Sequence, residues 1–308
     1  MVAIAGAAAL VSGCAVSQKK VVKPSEAPGP LLTATKAELV ERFNKQAKAI
    51  DSINASVSMK VTAGSAYSGV IEEYHEINAF ILASRPSNIR VIGQAPVVGK
   101  NIFDMVSDGQ TFHIFVPSKH KFIEGPAKLE RPAKKPVENL RPQHILDALF
   151  WQPIEDQAPL GTGDKQFTLF EEDEENGALY YIVTLISHDG PVMNNVGSSV
   201  TLRSAFGIVQ KIWFDRLDLN VSRIEIFESS AIEGKVASDV RYSSWDTTGA
   251  TPYPRQISLA RPGDDYKLDI TVKKMTLNEP ISAEKFVLAQ PPGTELVRVG
   301  EDAAKEQP

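Results

Sequence analysis

Stretch after stretch of this chain alternates apolar and polar residues with a period of two. Val57, Met59 and Val61 interleave with Ser58, Lys60 and Thr62, and Tyr266, Leu268, Ile270 and Val272 with Lys267, Asp269, Thr271 and Lys273. Ser222 to Ile226 keeps the same rhythm. A strand turns successive side chains to opposite faces, so these segments belong to a sheet with one buried and one wet face, the pattern of antiparallel sheets. Ser107-Asp108-Gly109-Gln110, between Ile102–Val106 and Thr111–Val116, marks a hairpin, and Asp-Gly suits a type I′ turn. Further strands are expected near Val70–Leu82, Asn88–Gly93, Lys121–Glu124, Gln166–Glu171, Leu179–Ile186, Ser199–Ala205, Val209–Asp215, Lys235–Tyr242 and Arg255–Ala260. No repeat of fixed period runs through them.

Two segments break the rhythm. Thr35-Lys36-Ala37-Glu38 fits a capping box, and Leu39, Phe43, Ala47 and Ile50 then recur at helical spacing, which predicts a helix over 35–50. A shorter helix is expected to start at Pro142 and to carry Ile145, Leu146, Leu149 and Phe150 on one side. A sheet with one apolar face must close on itself, pair with a second sheet or be covered by helices. With 308 residues, many strands and two amphipathic helices, a strongly curved sheet holding the helices in its concave side is the economical solution. If the helices leave space, an apolar cavity remains beneath them.

The chain opens on thirteen mostly small or apolar residues, Met1 to Gly13, and Val11-Ser12-Gly13 lead directly into Cys14, its single cysteine. The run is too short to span a bilayer and reads as a signal-peptide core. The small residue before Cys14 resembles the bacterial lipobox, and the thiol is the atom that would take the lipid. No Lys or Arg precedes the apolar run, a departure from that pattern that points to a start further upstream or to a truncated chain. Ala15 in place of Asp favours the outer membrane, with the protein held at its periplasmic face by acyl chains such as palmitate. The expected organisation is a signal peptide and lipobox at 1–14, a tether at 15–33, one β domain at 34–299 and a polar tail at 300–308. About 18 residues of tether reach at most roughly 60 Å.

Within the β domain, Glu38-Leu39-Val40-Glu41-Arg42-Phe43, Ser84-Arg85-Pro86-Ser87-Asn88-Ile89-Arg90-Val91, Val106-Ser107-Asp108-Gly109-Gln110-Thr111, Ile212-Trp213-Phe214-Asp215 and Leu277-Asn278-Glu279-Pro280-Ile281 before Phe286 follow one another in an order that resembles the LolA/LolB superfamily of lipoprotein carriers and acceptors. The resemblance implies a half-open antiparallel β-barrel with a helical lid over an apolar cavity that shields lipoprotein acyl chains. It also implies that Ala95-Pro96-Val97-Val98-Gly99 is the counterpart of a short apolar loop that faces the membrane in LolB, although the leucine of that loop is absent here. Pro96, Val97, Val98 and Gly99 are therefore the expected membrane-facing residues. Leu39 and Phe43 on the first helix are the expected cavity lining.

Other chemistry finds little support. The histidines His75, His113, His120, His144 and His188 lack metal-ligand spacing, and no phosphate loop or Gly-x-Ser-x-Gly elbow occurs. No metal or cofactor is expected. Glu171 to Glu175 reads as a solvated hairpin end, not a calcium loop. A net charge of −5 with dispersed basic residues argues against nucleic acid. The expected function is non-catalytic: a monomeric, membrane-anchored lipoprotein that binds acyl chains of lipid or lipoprotein for transfer or insertion, with a periplasmic carrier as a possible partner. The rivals are a structural or interaction lipoprotein with a filled core, and an envelope hydrolase for which no nucleophile–base pair is evident.

Overall fold

The fold is described from a computed structural model, for residues 29–65, 69–127, 139–154, 165–196, 199–228, 234–249 and 251–299. Cys14, most of the tether, Gly161-Thr162-Gly163, the Lys134-Lys135 pair and the 300–308 tail lie outside the described residues.

The alternating segments become strands. In chain order they are β1 Ser52–Ser65, β2 Val70–Glu73, β3 Ile77–Ser84, β4 Asn88–Gln94, β5 Asn101–Ser107, β6 Thr111–Val116, β7 Lys121–Pro126 and, after the second helix, β8 Lys165–Glu175. There follow β9 Ala178–Val196, β10 Ser199–Asp215, β11 Val221–Phe227, β12 Val236–Asp246, β13 Tyr253–Arg261, β14 Tyr266–Leu277 and β15 Glu295–Arg298. All join one 15-stranded sheet in the order β15-β7-β6-β5-β4-β3-β1-β14-β13-β12-β11-β10-β9-β8, with β2 on the flank of β1. Neighbours are antiparallel hairpin partners, save that β3 pairs with β1 past the intervening β2, β14 returns to β1 and β15 runs parallel to β7. β15 had no counterpart among the expected strands. The two strands expected at Ser199–Ala205 and Val209–Asp215 are one continuous strand, β10.

The sheet is strongly curved and does not close. Bulges at Ser56/Val57, Gly93/Gln94, Trp213/Phe214 and Ile226/Phe227 interrupt the ladders, and a bulge sharpens local twist and bends its strand. Residues of one parity face inward and are buried: Ala79, Ile81 and Ala83 on β3, Ile89 and Val91 on β4, Tyr266, Leu268, Ile270 and Val272 on β14. The Asp108-Gly109 hairpin forms, but not as type I′. That turn needs positive φ at both central residues, and here Gly109 is at φ 90 while neither Asp108 nor Gln110 is positive. The Asp108 carboxylate accepts hydrogen bonds from the backbone N–H of Gln110 and Thr111 at 2.8 Å each, which stabilises a different turn.

The helices are α1, Lys36–Lys48, and α2, Pro142–Leu149. Thr35 and Glu38 form the capping box: the Glu38 N–H donates to Thr35 Oγ1 at 3.3 Å and the Thr35 N–H donates to Glu38 Oε2 at 2.7 Å. Both helices lie on the concave side, where Leu39, Phe43, Ile145 and Leu146 join the core of the sheet. The strand register separates two rims. The turns β3–β4, β5–β6, β8–β9 and β10–β11 lie at the first; the turns β1–β2, β4–β5, β6–β7 and β13–β14 lie at the second. Just ahead of α1, the Leu32 N–H donates to Arg216 O at 2.7 Å, which pins the incoming chain to the β10–β11 turn at the first rim.

Candidate functional site: the covered concave face and an apolar hairpin tip

Polar side chains of α1 stitch it across the turns of the first rim. Arg42 donates to Asn220 Oδ1 at 3.0 Å, and Gln46 donates to Pro252 O at 3.0 Å. Asn44 pairs with the backbone of Ile154, giving 2.9 Å to its carbonyl and receiving 2.6 Å from its N–H, which links α1 to the segment leaving α2. The centre of this arrangement is Arg85, in the β3–β4 turn. Its guanidinium donates to Ile50 O at 2.9 Å, to Ala47 O at 2.8 Å and to Trp151 O at 2.8 Å, and it lies 4.9 Å from the centroid of the Phe150 ring. The last carbonyls of a helix have no partner within it and carry the negative end of its dipole, so a planar cation with several donors satisfies both needs. Burial lowers the pKa of Arg85 from its ordinary value, against the opposing pull of Asp51.

The second helix is held from the sheet. Tyr242 and Tyr253 donate their hydroxyls to Ala148 O at 2.9 Å and Leu149 O at 3.1 Å, and burial raises both phenol pKa values. His144 Nδ1 lies 2.6 Å from the Tyr266 hydroxyl. Burial, then the guanidinium groups of Arg261 and Arg141, hold His144 down to a pKa of about 3, so it is neutral at physiological pH. Between the helices, Trp151 stacks on Phe43 and meets Tyr242 edge-on.

Leu39 and Phe43 are 1% and 0% exposed. A side chain that borders a hollow able to admit a water-sized sphere keeps accessible surface, even when the hollow is sealed. Among the described residues these two therefore pack against their neighbours and border no open hollow. Among the described residues one hollow there, bordered by Ala47, Ile50, Arg85, Leu149, Phe150 and Tyr253, holds about 10 Å³. That is at the lower limit for a single water and far below the roughly 300 Å³ at which ligand pockets begin. Two bulky aromatics, Phe43 on α1 and Trp151 just past the end of α2, stack there and take up the space. A larger trough of about 360 Å³, lined by Asn54, Ser56, Phe80, Lys274, Thr276 and Glu279, lies on the outer face of β1, β3 and β14.

The β4–β5 turn is the second feature. Ala95 N–H donates to Lys100 O at 2.9 Å and Gly99 N–H donates to Ala95 O at 3.0 Å, with Gly99 at φ 62, a conformation that glycine adopts without penalty. This closed turn holds Val97 95% and Val98 75% exposed. Pro96 and Gly99 flank them and are exposed as well. The tip lies at the second rim, remote from Leu39 and Phe43, so the expected site residues fall into two separate places. His113 and His120 do not meet: His113 stacks on Phe122 and lies 4.0 Å from Glu124, while His120 occupies the β6–β7 turn. Among the described residues no group of His, Cys, Asp and Glu is arranged to hold a metal. The acidic run Glu171 to Glu175 lies along edge strand β8, with Glu171 beside Lys211 and Glu172 beside Arg216. Trp151 had no role in the expectations from sequence, His144 entered only as a histidine without metal-ligand spacing, and Arg85 only within the Ser84–Val91 stretch of the resemblance.

No family model and no curated protein matches the chain. Among solved structures it is similar to a LolA superfamily protein from Nitrosomonas europaea, at 14% identity over 83% of this chain and 99% of that one, with a TM-score of 0.44. A DUF1329 family protein from Desulfovibrio piger overlaps at 12% identity, 81% and 95% coverage and TM-score 0.46. A candidate outer membrane lipoprotein-sorting domain from Vibrio parahaemolyticus overlaps at 8% identity, 81% and 94% coverage and TM-score 0.42. At this level of overlap the likeness carries no argument about ligand or partner.

Proposed function

We propose that this chain is a lipoprotein of the bacterial envelope, anchored at the outer membrane through acylated Cys14, that meets the bilayer with Val97 and Val98 and accepts acyl chains beneath α1 and α2 when these helices lift. The observation that carries the reading is the apolar tip. Two aliphatic side chains held in water by a hydrogen-bonded turn forgo a burial worth roughly 1.5–3 kcal/mol each, and a hydrocarbon surface restores it. The concave face supports the second half of the reading. Its lining is apolar, its sheet is unclosed, and its cover is two short helices joined to the rim through a small set of named side chains. Acyl binding around Leu39 and Phe43 requires the helices to move, because both side chains are buried and the hollow beside them among the described residues holds about 10 Å³.

That same figure favours a second reading, an interaction lipoprotein whose core stays filled. Displacement of a fluorescent fatty acid from the full chain, compared with Arg85→Ala, separates the two. A carrier with liftable helices binds the probe, and binds it more tightly once Arg85 is gone. A permanently filled core binds it in neither protein, and that result removes the carrier reading.

A further inference from the structure

The trough on the outer face of β1, β3 and β14 holds about 360 Å³, inside the size range of small-molecule sites. The strand register shows its layout. Phe80, Ser56 and Lys274 stand opposite one another in one row across β3, β1 and β14, and Asn54 and Thr276 pair in the next row. With strands about 4.8 Å apart and two residues advancing about 7 Å, these side chains frame a patch about 10 Å by 7 Å. Phe80 is 46% exposed while its neighbours Ala79 and Ile81 are buried, so strand alternation presents the ring outward.

A bulge and a turn build this face. β14 carries one extra residue opposite Ser56/Val57, where the register passes from Lys274 to Val272. Val272 is buried, and beyond the extra residue Met275 and Leu277 pack against the core, so the parity of β14 switches there. Without the bulge Lys274 would point into the apolar interior and Met275 into water; with it Lys274 and Thr276 join the outer face. At the end of β14 the side chain of Asn278 accepts from the Asp51 N–H at 2.8 Å and donates to Ala49 O at 2.7 Å. The Ser52 hydroxyl donates to Glu279 O at 2.6 Å. These bonds hold Glu279 at the border of the trough, where its carboxylate accepts from the Thr276 hydroxyl at 3.3 Å.

The lining combines one ring with a rim of polar groups. Among the described residues, the side chains of Asn54, Ser56 and Lys274 have no hydrogen-bond partner in the protein. Lys274 and Glu279 carry opposite charges, so the trough favours neither an anion nor a cation. An acyl chain or a planar heterocycle asks for apolar walls on more than one side, and Phe80 supplies one. A pyranose has one C–H face to lay on a ring and an edge of hydroxyls, each both donor and acceptor. Amide, hydroxyl, ammonium and carboxylate groups around a single ring answer that pattern.

We propose that this outer trough binds a pyranose unit of a glycan, stacked on Phe80 and hydrogen-bonded through Asn54, Ser56 and Lys274. The site lies on the face of the sheet opposite α1 and α2. It works with both helices in place and does not rest on the bilayer reading of Val97 and Val98.

The test is saturation-transfer NMR on the full chain carrying Cys14→Ser, with triacetylchitotriose, maltotriose and, as a zwitterion, diglycine. Ring protons of at least one sugar should receive saturation. Phe80→Ala and Asn54→Ala should each weaken that sugar about tenfold. Phe80→Trp should keep binding, and Val98→Asp should leave it unchanged whatever becomes of membrane contact. Phe80 and Asn54 are both exposed, and an unchanged melting midpoint shows that each variant keeps the fold. No transfer to either sugar overturns the proposal. Transfer that survives Phe80→Ala also overturns it, because the sugar then sits elsewhere. Binding of diglycine with neither sugar bound overturns it as well, and assigns the charged pair to a zwitterion.

Discussion

Phe43 and Trp151 lie face to face, their ring centroids 5.3 Å apart and their planes 3° from parallel. This one contact joins α1 to the segment that leaves α2 and fills the middle of the concave side. Phe43→Ala should cost about 3–5 kcal/mol, the range for deleting a large buried aromatic. Urea unfolding followed by tryptophan emission checks it, and a loss below about 1 kcal/mol would contradict the filled interior.

Arg85 is the next point of attachment. Arg85→Ala leaves the carbonyls of Ala47, Ile50 and Trp151 without this donor, and about 2–3 kcal/mol of stability should go with it. Amide exchange should speed up at the end of α1 and around Trp151 before it does in β3 or β14. Arg85→Lys should rescue little, since an ammonium cannot reproduce the planar fork.

His144 makes stability depend on acidity. Its folded pKa of about 3 lies below the ordinary 6.5, so between these values the unfolded chain binds the extra proton. Stability is therefore complete above about pH 6.5 and falls as the pH drops, by up to about 1.4 kcal/mol per unit from this residue. Denaturant midpoints measured from pH 7 to pH 5, a window above the carboxylate range, should show the slope, and His144→Gln should flatten it.

Gly93, at the end of β4, faces the ring of Phe103: a Cβ there would lie 2.4 Å from the nearest ring carbon. Gly93→Ala should destabilise the protein by about 1–3 kcal/mol through overpacking. Adding Phe103→Ala should return part of that loss, so a double-mutant cycle reads the clash directly.

The curved, one-sided sheet was legible because strict alternation recurs in β1 and β14, and α1 because Thr35 and Glu38 sit three residues apart ahead of an apolar stripe. The exposed tip was legible too, since two valines between proline and glycine have nowhere local to bury. What stayed hidden was volume. Whether Phe43 borders an empty space or meets Trp151 depends on a residue 108 positions away, and periodicity carries no information about such pairs. The same holds for Arg85, which looks like a surface cation until the curl of the sheet brings the end of α1 over it. β15 escaped because four residues paired in parallel to β7 leave almost no pattern.

The bond between Leu32 and Arg216 has a geometric consequence for orientation. It fixes the departure of the N-terminal stretch at the rim opposite Val97, and the seven residues of β4 between the rims span about 23 Å. If Cys14 is acylated and embedded as proposed, a molecule standing on its point of departure holds Val97 and Val98 away from the lipid. To turn over, it must lead the leash up its own flank, and fewer than about seven residues of leash would forbid the turn. The span from Ala15 to Leu31 exceeds that minimum, so its length, rather than any contact, decides whether an anchored molecule can also reach down and touch the same leaflet.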